Sequence, residues 1–242
     1  WGKADFHYRQ ALHIFEQIGD IYNQSVAYNN LGGIAKNRGK IEEALDSYQE
    51  GVRLAEKIGG SAWLVGVFHM NLGATFVLQE ETEQAYHHLH QSRDYFDQVQ
   101  SKDFLAETFR YLAEAALLDE DFEQATAWAN EGIQVAGELE MTGEAACCWC
   151  VLGQIALVQG DITAAKAHFR RCVTFLEPLS DEYQLARSRY WLAHALLADG
   201  QKQDGQTLLS EANAVFSRLE AALDLTAVHR LQKKHDIVIS NQ

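Results

Sequence analysis

Three groups of side chains in the sequence could do chemistry. The run "CCWC" sets Cys147, Cys148 and Cys150 within four residues, and Cys172 follows later. Thiolates so spaced suggest a soft metal, but zinc sites take four N or S ligands and place paired cysteines on a turn. A helical pattern here separates Cys147 and Cys150 by one turn and points Cys148 elsewhere, so the expectation is buried, reduced thiols serving as small apolar side chains. The run "AYHHLHQSRDY" gathers His87, His88 and His90. It lacks the His-Glu-x-x-His pattern of a helical zinc protease, and solvent-facing histidines are expected. The third group is Glu107, Arg110, Tyr111 and Glu114 with Arg187, Tyr190, Trp191 and His194. Arginine and aromatics are enriched at binding hot spots, and a guanidinium can hold a carboxylate through two bonds. The competing reading is ordinary ion pairing between residues three and four apart on a helix.

What must position these groups is a repeat. Leu31-Gly32 returns as Leu72-Gly73, Leu112-Ala113, Leu152-Gly153 and Leu192-Ala193, at leucine intervals of 41, 40, 40 and 40 residues. Thirteen residues after each leucine stands Ala44, Ala85, Ala125, Ala165 or Gly205, and one period back lies Ala4. A third anchor closes each unit, as in Ile18-Gly19 and Ile58-Gly59. Self-similarity at such a period marks stacked supersecondary units. The small residues let two antiparallel helices approach closely. The large residues three before each leucine, Tyr28, His69, Phe109, Trp149 and the deviant Arg189, are expected to pack on the neighbouring unit. Turns fall at Asn37-Arg38-Gly39, Glu80-Glu81, Asp119-Glu120-Asp121, Gln159-Gly160-Asp161 and Asp199-Gly200, with Asp121 and Asp161 as N-caps. The expected units are a half repeat over 1–20, then 21–60, 61–100, 101–140, 141–180 and 181–220, and a closing helix over 221–235.

The segments "LGGIAKNRGKIEEALDSYQEGVRLAEKIGG" and "LGQIALVQGDITAAKAHFRRCVTFLEPL" resemble tetratricopeptide repeats. They carry Leu-Gly in the first helix, Gly before the second, then Ala and an aromatic four residues on, Tyr48 and Phe169. The period exceeds the family's usual length of about 34 residues. That longer form resembles the sensor arrays of signal-transduction STAND-type ATPase regulators, and also kinesin light chains and spindle-orientation adaptors. The resemblance implies an all-α fold, a right-handed solenoid of antiparallel helix pairs whose first helices line a concave groove.

Taking the leucines as buried, helical spacing places four rows on that groove. They are Asn29, Met70, Arg110, Cys150, Tyr190; Asn30, Asn71, Tyr111, Val151, Trp191; Val26, Val67, Glu107, Cys147, Arg187; and Gly33, Ala74, Glu114, Gln154, His194. Asparagine amides can pair with both polar groups of an extended peptide. Resembling arrays use an asparagine ladder for this, which here stops after Asn30 and Asn71. The chaperone-tail carboxylate clamp is not reproduced.

The net charge of −14 repels phosphate backbones and anionic lipid, so neither nucleic acid nor membrane is an expected partner. No apolar run reaches a membrane span, and no nucleophile elbow, phosphate-binding loop or dinucleotide glycine fingerprint occurs. The expectation is a cytoplasmic, bacterial, non-enzymatic module without cofactor or metal. It would capture a peptide, protein or small effector in the groove and signal to other domains of a longer chain. The alternatives are a constitutive scaffold or homo-oligomerisation module, and an enzyme fragment.

Overall fold

The computed structural model describes residues 1–59 and 61–237. Within them twelve helices and no strand are found. The chain divides into two compact units, residues 1–119 and 120–242. The first holds α1 (Gly2–Ile18), α2 (Ile21–Asn37), α3 (Ile41–Lys57), α4 (Ala62–Leu78), α5 (Thr82–Gln98) and α6 (Leu105–Leu118). The second holds α7 (Phe122–Glu138), α8 (Thr142–Val158), α9 (Ile162–Leu176), α10 (Glu182–Ala198), α11 (Lys202–Leu219) and α12 (Ala222–His235). No described helix is long and apolar enough to cross a membrane.

Even-numbered and odd-numbered helices differ because they are covered differently. In the first unit α4 packs on α3 and α5 and also touches α2 and α6, and it buries residues around its whole circumference from Leu64 to Val77. Helix α3 is amphipathic and buries one stripe, Ala44, Tyr48, Gly51, Leu54 and Ala55. The small-residue expectation holds at atomic detail. A Cβ at Gly32 would lie 2.6 Å from the Tyr48 ring, one at Gly73 2.5 Å from Leu89, and one at Gly153 2.5 Å from Phe169. The residues three before the leucines pack differently from expectation, largely within their own repeat. His69 of α4 stacks on Tyr95 of α5, and Trp149 of α8 meets Phe175 of α9. Arg189 spans both neighbours, reaching Glu177 just after α9 and Glu211 on α11.

The side chains of Asp20, Asp121, Asp161 and Asp181 accept from the backbone N–H three residues on, capping α2, α7, α9 and α10. Helix α9 ends at Leu176, two residues before Pro178, which cannot continue the ladder. The turns from α2, α8 and α10 each use a left-handed glycine, Gly39, Gly160 and Gly200. Those from α4 and α6 put Glu80 and Glu120 in the same conformation, at φ 61° and 59°. A side chain there costs about 1–2 kcal/mol. Glu80→Gly should therefore raise stability by about 1 kcal/mol, net of the extra chain entropy glycine loses, as read by urea unfolding.

Candidate functional site

Three even-numbered helices of the first unit bring polar side chains together where their repeat columns are otherwise apolar. Asn71 of α4 donates from Nδ2 to Asn29 Oδ1 of α2 at 3.1 Å. Lys36, in the last turn of α2, donates from Nζ to Asn71 Oδ1 at 3.4 Å and to Tyr111 Oη of α6 at 3.3 Å. Tyr111 donates in turn to Glu107 at 3.3 Å. Arg110, only 2% exposed, binds Glu114 at 2.9 Å and Glu107 at 3.3 Å and lies over the Tyr111 ring. A continuous network thus runs from α2 through α4 to α6.

Its electrostatics centre on Lys36, 9% exposed, which has no carboxylate within ion-pair distance among the described residues. Burial pulls the ammonium pKa down, but the Tyr111 and Tyr48 oxygens and the Glu107 carboxylate pull harder, and the net direction is up. The Tyr48 hydroxyl is buried without a hydrogen-bond partner among the described residues, and burial pushes its pKa up to about 12. Two long hydrogen bonds and a cation–π contact are modest compensation for a buried ammonium. Sequence reasoning missed Lys36, treating its stretch as a helix turn. The signal was available: its column reads Lys36, Val77, Leu117, Leu157, Leu197, one charge among four apolar residues.

The structure places the other expected residues as follows. Asn30 does not pair with Asn71; its Nδ2 donates to Val26 O on its own helix at 3.0 Å, and Asn29 takes its place. Equal repeat phase therefore does not select the pairing. Met70, expected on the groove, is a core residue 2% exposed, and Cys147, Cys150, Val151, Val67 and Ala74 are likewise buried. The cause is the full cover that neighbouring helices give α4 and α8. Gln154, Arg187, Tyr190, Trp191 and His194 lie in the second unit, separate from the network just described. There Gln154 donates to Cys150 Sγ at 3.8 Å. Tyr190, Trp191 and His194 stack on one another along α10, and Trp191 also stacks on Phe169. Arg187 lies 3.9 Å from Asp224 of α12, which also accepts from Tyr183 at 2.9 Å.

All four cysteines are buried and none forms a disulfide. Cys172 Sγ donates to Ala146 O at 3.0 Å and lies 2.9 Å from Ser188 Oγ, and contact with Cys150 together with burial pushes its thiol strongly up. Among the described residues no group of three or more His, Cys, Asp or Glu is placed to hold a metal ion. The solvent-facing expectation holds for His87 but not for His88 and His90, which are half-buried.

Burial pushes His194 down to about 4, and the charges of Lys234 and His235 on α12 act in the same direction. Folded, the ring takes up a proton only near 4, whereas unfolded it does so near 6.5. Its contribution to stability is therefore complete above 6.5 and lost as pH falls towards 4. The loss should be on the order of 2 kcal/mol, after discounting for partial exposure. Thermal melts of His194→Phe should show a shallower acid decline than the parent across that window.

Two stretches, residues 25–58 and 148–175, match the tetratricopeptide repeat family model. No curated protein matches the chain. Among solved structures, a Rap protein complexed with competence and sporulation factor is similar, with a TM-score of 0.75 at 13% identity over 95% of this chain and 69% of that one. BtubC (BKLC) from P. vanneervenii gives 0.62 at 14%, over 100% and 92%. The TPR-like repeats of a kinesin light chain from Podosopora anserina give 0.53 at 15%, over 81% and 96%. At these identities the likeness establishes the fold. With the 40-residue period, the paired helices and the small-residue contacts, it makes the chain a tetratricopeptide-repeat protein.

Proposed function

We propose that the chain is a binding module, not an enzyme, and that it captures an extended peptide segment of a protein partner along α2, α4 and α6. The observation that carries this reading is the network Asn29–Asn71–Lys36–Tyr111. It crosses three successive even-numbered helices, leaves Asn29 and Asn71 partly open to solvent, and holds an ammonium with no carboxylate beside it. Amides of this kind serve both the N–H and C=O of a peptide backbone, and Lys36 adds a preference for a peptide with an acidic group. The peptide-bound Rap structure supports the choice of ligand class. The resemblance to STAND-type regulators supports a place for the module in a larger bacterial cytoplasmic regulator, where the bound peptide would be sensed by neighbouring domains. No cofactor enters this function.

Selection from a random peptide display library against the whole chain tests the site. Recovered peptides should bind Asn71→Ala and Lys36→Met at least about tenfold more weakly, the effect of about 1.4 kcal/mol, while binding His229→Gln unchanged. Peptides that bind all three variants equally would place the binding surface elsewhere.

A second reading, a scaffold that associates with another chain, draws on α1. Phe6, Ile14 and Ile18 are 57%, 54% and 67% exposed, and the helix buries no residue. Concentration-dependent light scattering separates the two readings, since a monomer at all concentrations disfavours self-association through α1.

A further inference from the structure

His69 of α4 and His88 of α5 face each other across one repeat. Their Nδ1 atoms are 2.9 Å apart and their rings stack at 5.2 Å, with planes 28° from parallel. Aromatic neighbours restrain both rings. Phe76 stacks on His88 at 5.4 Å, Tyr95 stacks on His69 at 5.6 Å, and His87 meets His88 edge-on at 5.2 Å. Burial pushes both imidazoles down to about 4, and His87 and the partner ring add repulsion without any carboxylate contribution. At neutral pH the pair is therefore uncharged, and one Nδ1–H donates to the other Nδ1.

A proton shared along that line is one way to satisfy two nitrogens at this distance. The other is a metal ion. When both rings carry their proton on Nε2, both Nδ1 lone pairs are free. Two imidazole nitrogens bonded at about 2.0–2.1 Å stand about 2.9 Å apart when they subtend a right angle, and about 3.4 Å apart when tetrahedral. The observed separation is that of adjacent corners of a square. Copper(II) takes square-planar or tetragonal nitrogen ligands and heads the affinity order of the first-row divalent ions, whereas zinc prefers the tetrahedral angle.

We propose that His69 and His88 form a two-imidazole site for copper(II), its remaining positions taken by water or by a donor from another molecule. With two protein ligands the site is open and exchangeable, unlike a closed structural centre. No proton has to leave on loading, because each neutral ring only moves its proton from Nδ1 to Nε2 or already holds it there. The chain's net charge of −14 draws cations towards it. This site is separate from the peptide network and does not depend on it.

The test is titration of copper(II) chloride into the whole chain at neutral pH in a non-coordinating buffer. Binding is read by calorimetry and by electron paramagnetic resonance. The parent and His229→Gln, an exposed histidine on α12, should each bind one equivalent whose spectrum shows two imidazole nitrogens. His69→Gln and His88→Gln should lose that spectrum, with affinity falling by more than the roughly 10–100-fold cost of losing a mere supporting group. The proposal fails if either variant keeps the two-nitrogen spectrum at parental affinity. It fails equally if the parent binds copper no tighter than the double variant. Should the variants not fold, the parent alone decides by NMR. Substoichiometric copper should broaden the ring signals of His69 and His88 before those of His229, and equal broadening of all three overturns the site.

Discussion

Phe169→Ala should lower the unfolding free energy of the chain by about 3–5 kcal/mol. The ring is wholly buried in α9, lies against Gly153 of α8 and stacks on Trp191 of α10 at 6.2 Å, so three helices meet on it. Truncation loses the transfer free energy of the ring and leaves a cavity that the three helices cannot close without shifting against one another. Neighbouring repeats hold each other only through such contacts, so the damage reaches both interfaces of α9. Phe169→Leu should cost much less, because leucine fills the same column elsewhere: Leu89 lies over Gly73 in the same way and is equally buried. Urea unfolding followed by circular dichroism measures both. A loss below about 1 kcal/mol for the alanine variant would mean that the interface repacks freely.

The same column shows why so much of the fold could be read from the sequence. Tyr48, Leu89, Ala129, Phe169 and Leu209 are all fully buried, and each stands four residues after the small anchor of its second helix. One geometric requirement repeated five times leaves a periodic trace that survives the change from Tyr to Ala. The turns were legible for a similar reason, although Glu80 and Glu120 adopt the left-handed conformation without the glycine that usually announces it. The candidate site was less legible because nothing in it repeats. Asn29 rather than Asn30 meets Asn71, a choice made by how α2 and α4 lie against each other and invisible in repeat phase. The pairing of His69 with His88 joins two helices whose facing residues differ in every other repeat. Periodicity reports what the repeats share, and a binding site is what one of them does not share.

Arg110→Ala should destabilise the chain by about 3 kcal/mol, and the reason separates a structural role from the binding role that its residue type suggests. The guanidinium is buried, its two carboxylate partners Glu107 and Glu114 are partly so, and its plane lies 3.9 Å from the Tyr111 ring centroid. Deleting it leaves two carboxylates one or two turns apart with no cation between them, in a site where solvent screens them poorly. The penalty is that of the orphaned charges and not the net worth of the ion pairs. Replacing all three, as Glu107→Gln, Arg110→Met and Glu114→Gln, should then recover most of the loss, because the charges leave together and methionine retains the contact with Tyr111. Thermal and urea unfolding of the single and triple variants decides the matter. A triple variant as unstable as Arg110→Ala would show that the arginine stem and its ring contact matter more than the charges. If the reading holds, Arg110 affects partner binding only through the position it gives Tyr111 and Glu107. Lys36, whose ammonium has no carboxylate of its own, is then the charge in this network still able to meet one from outside.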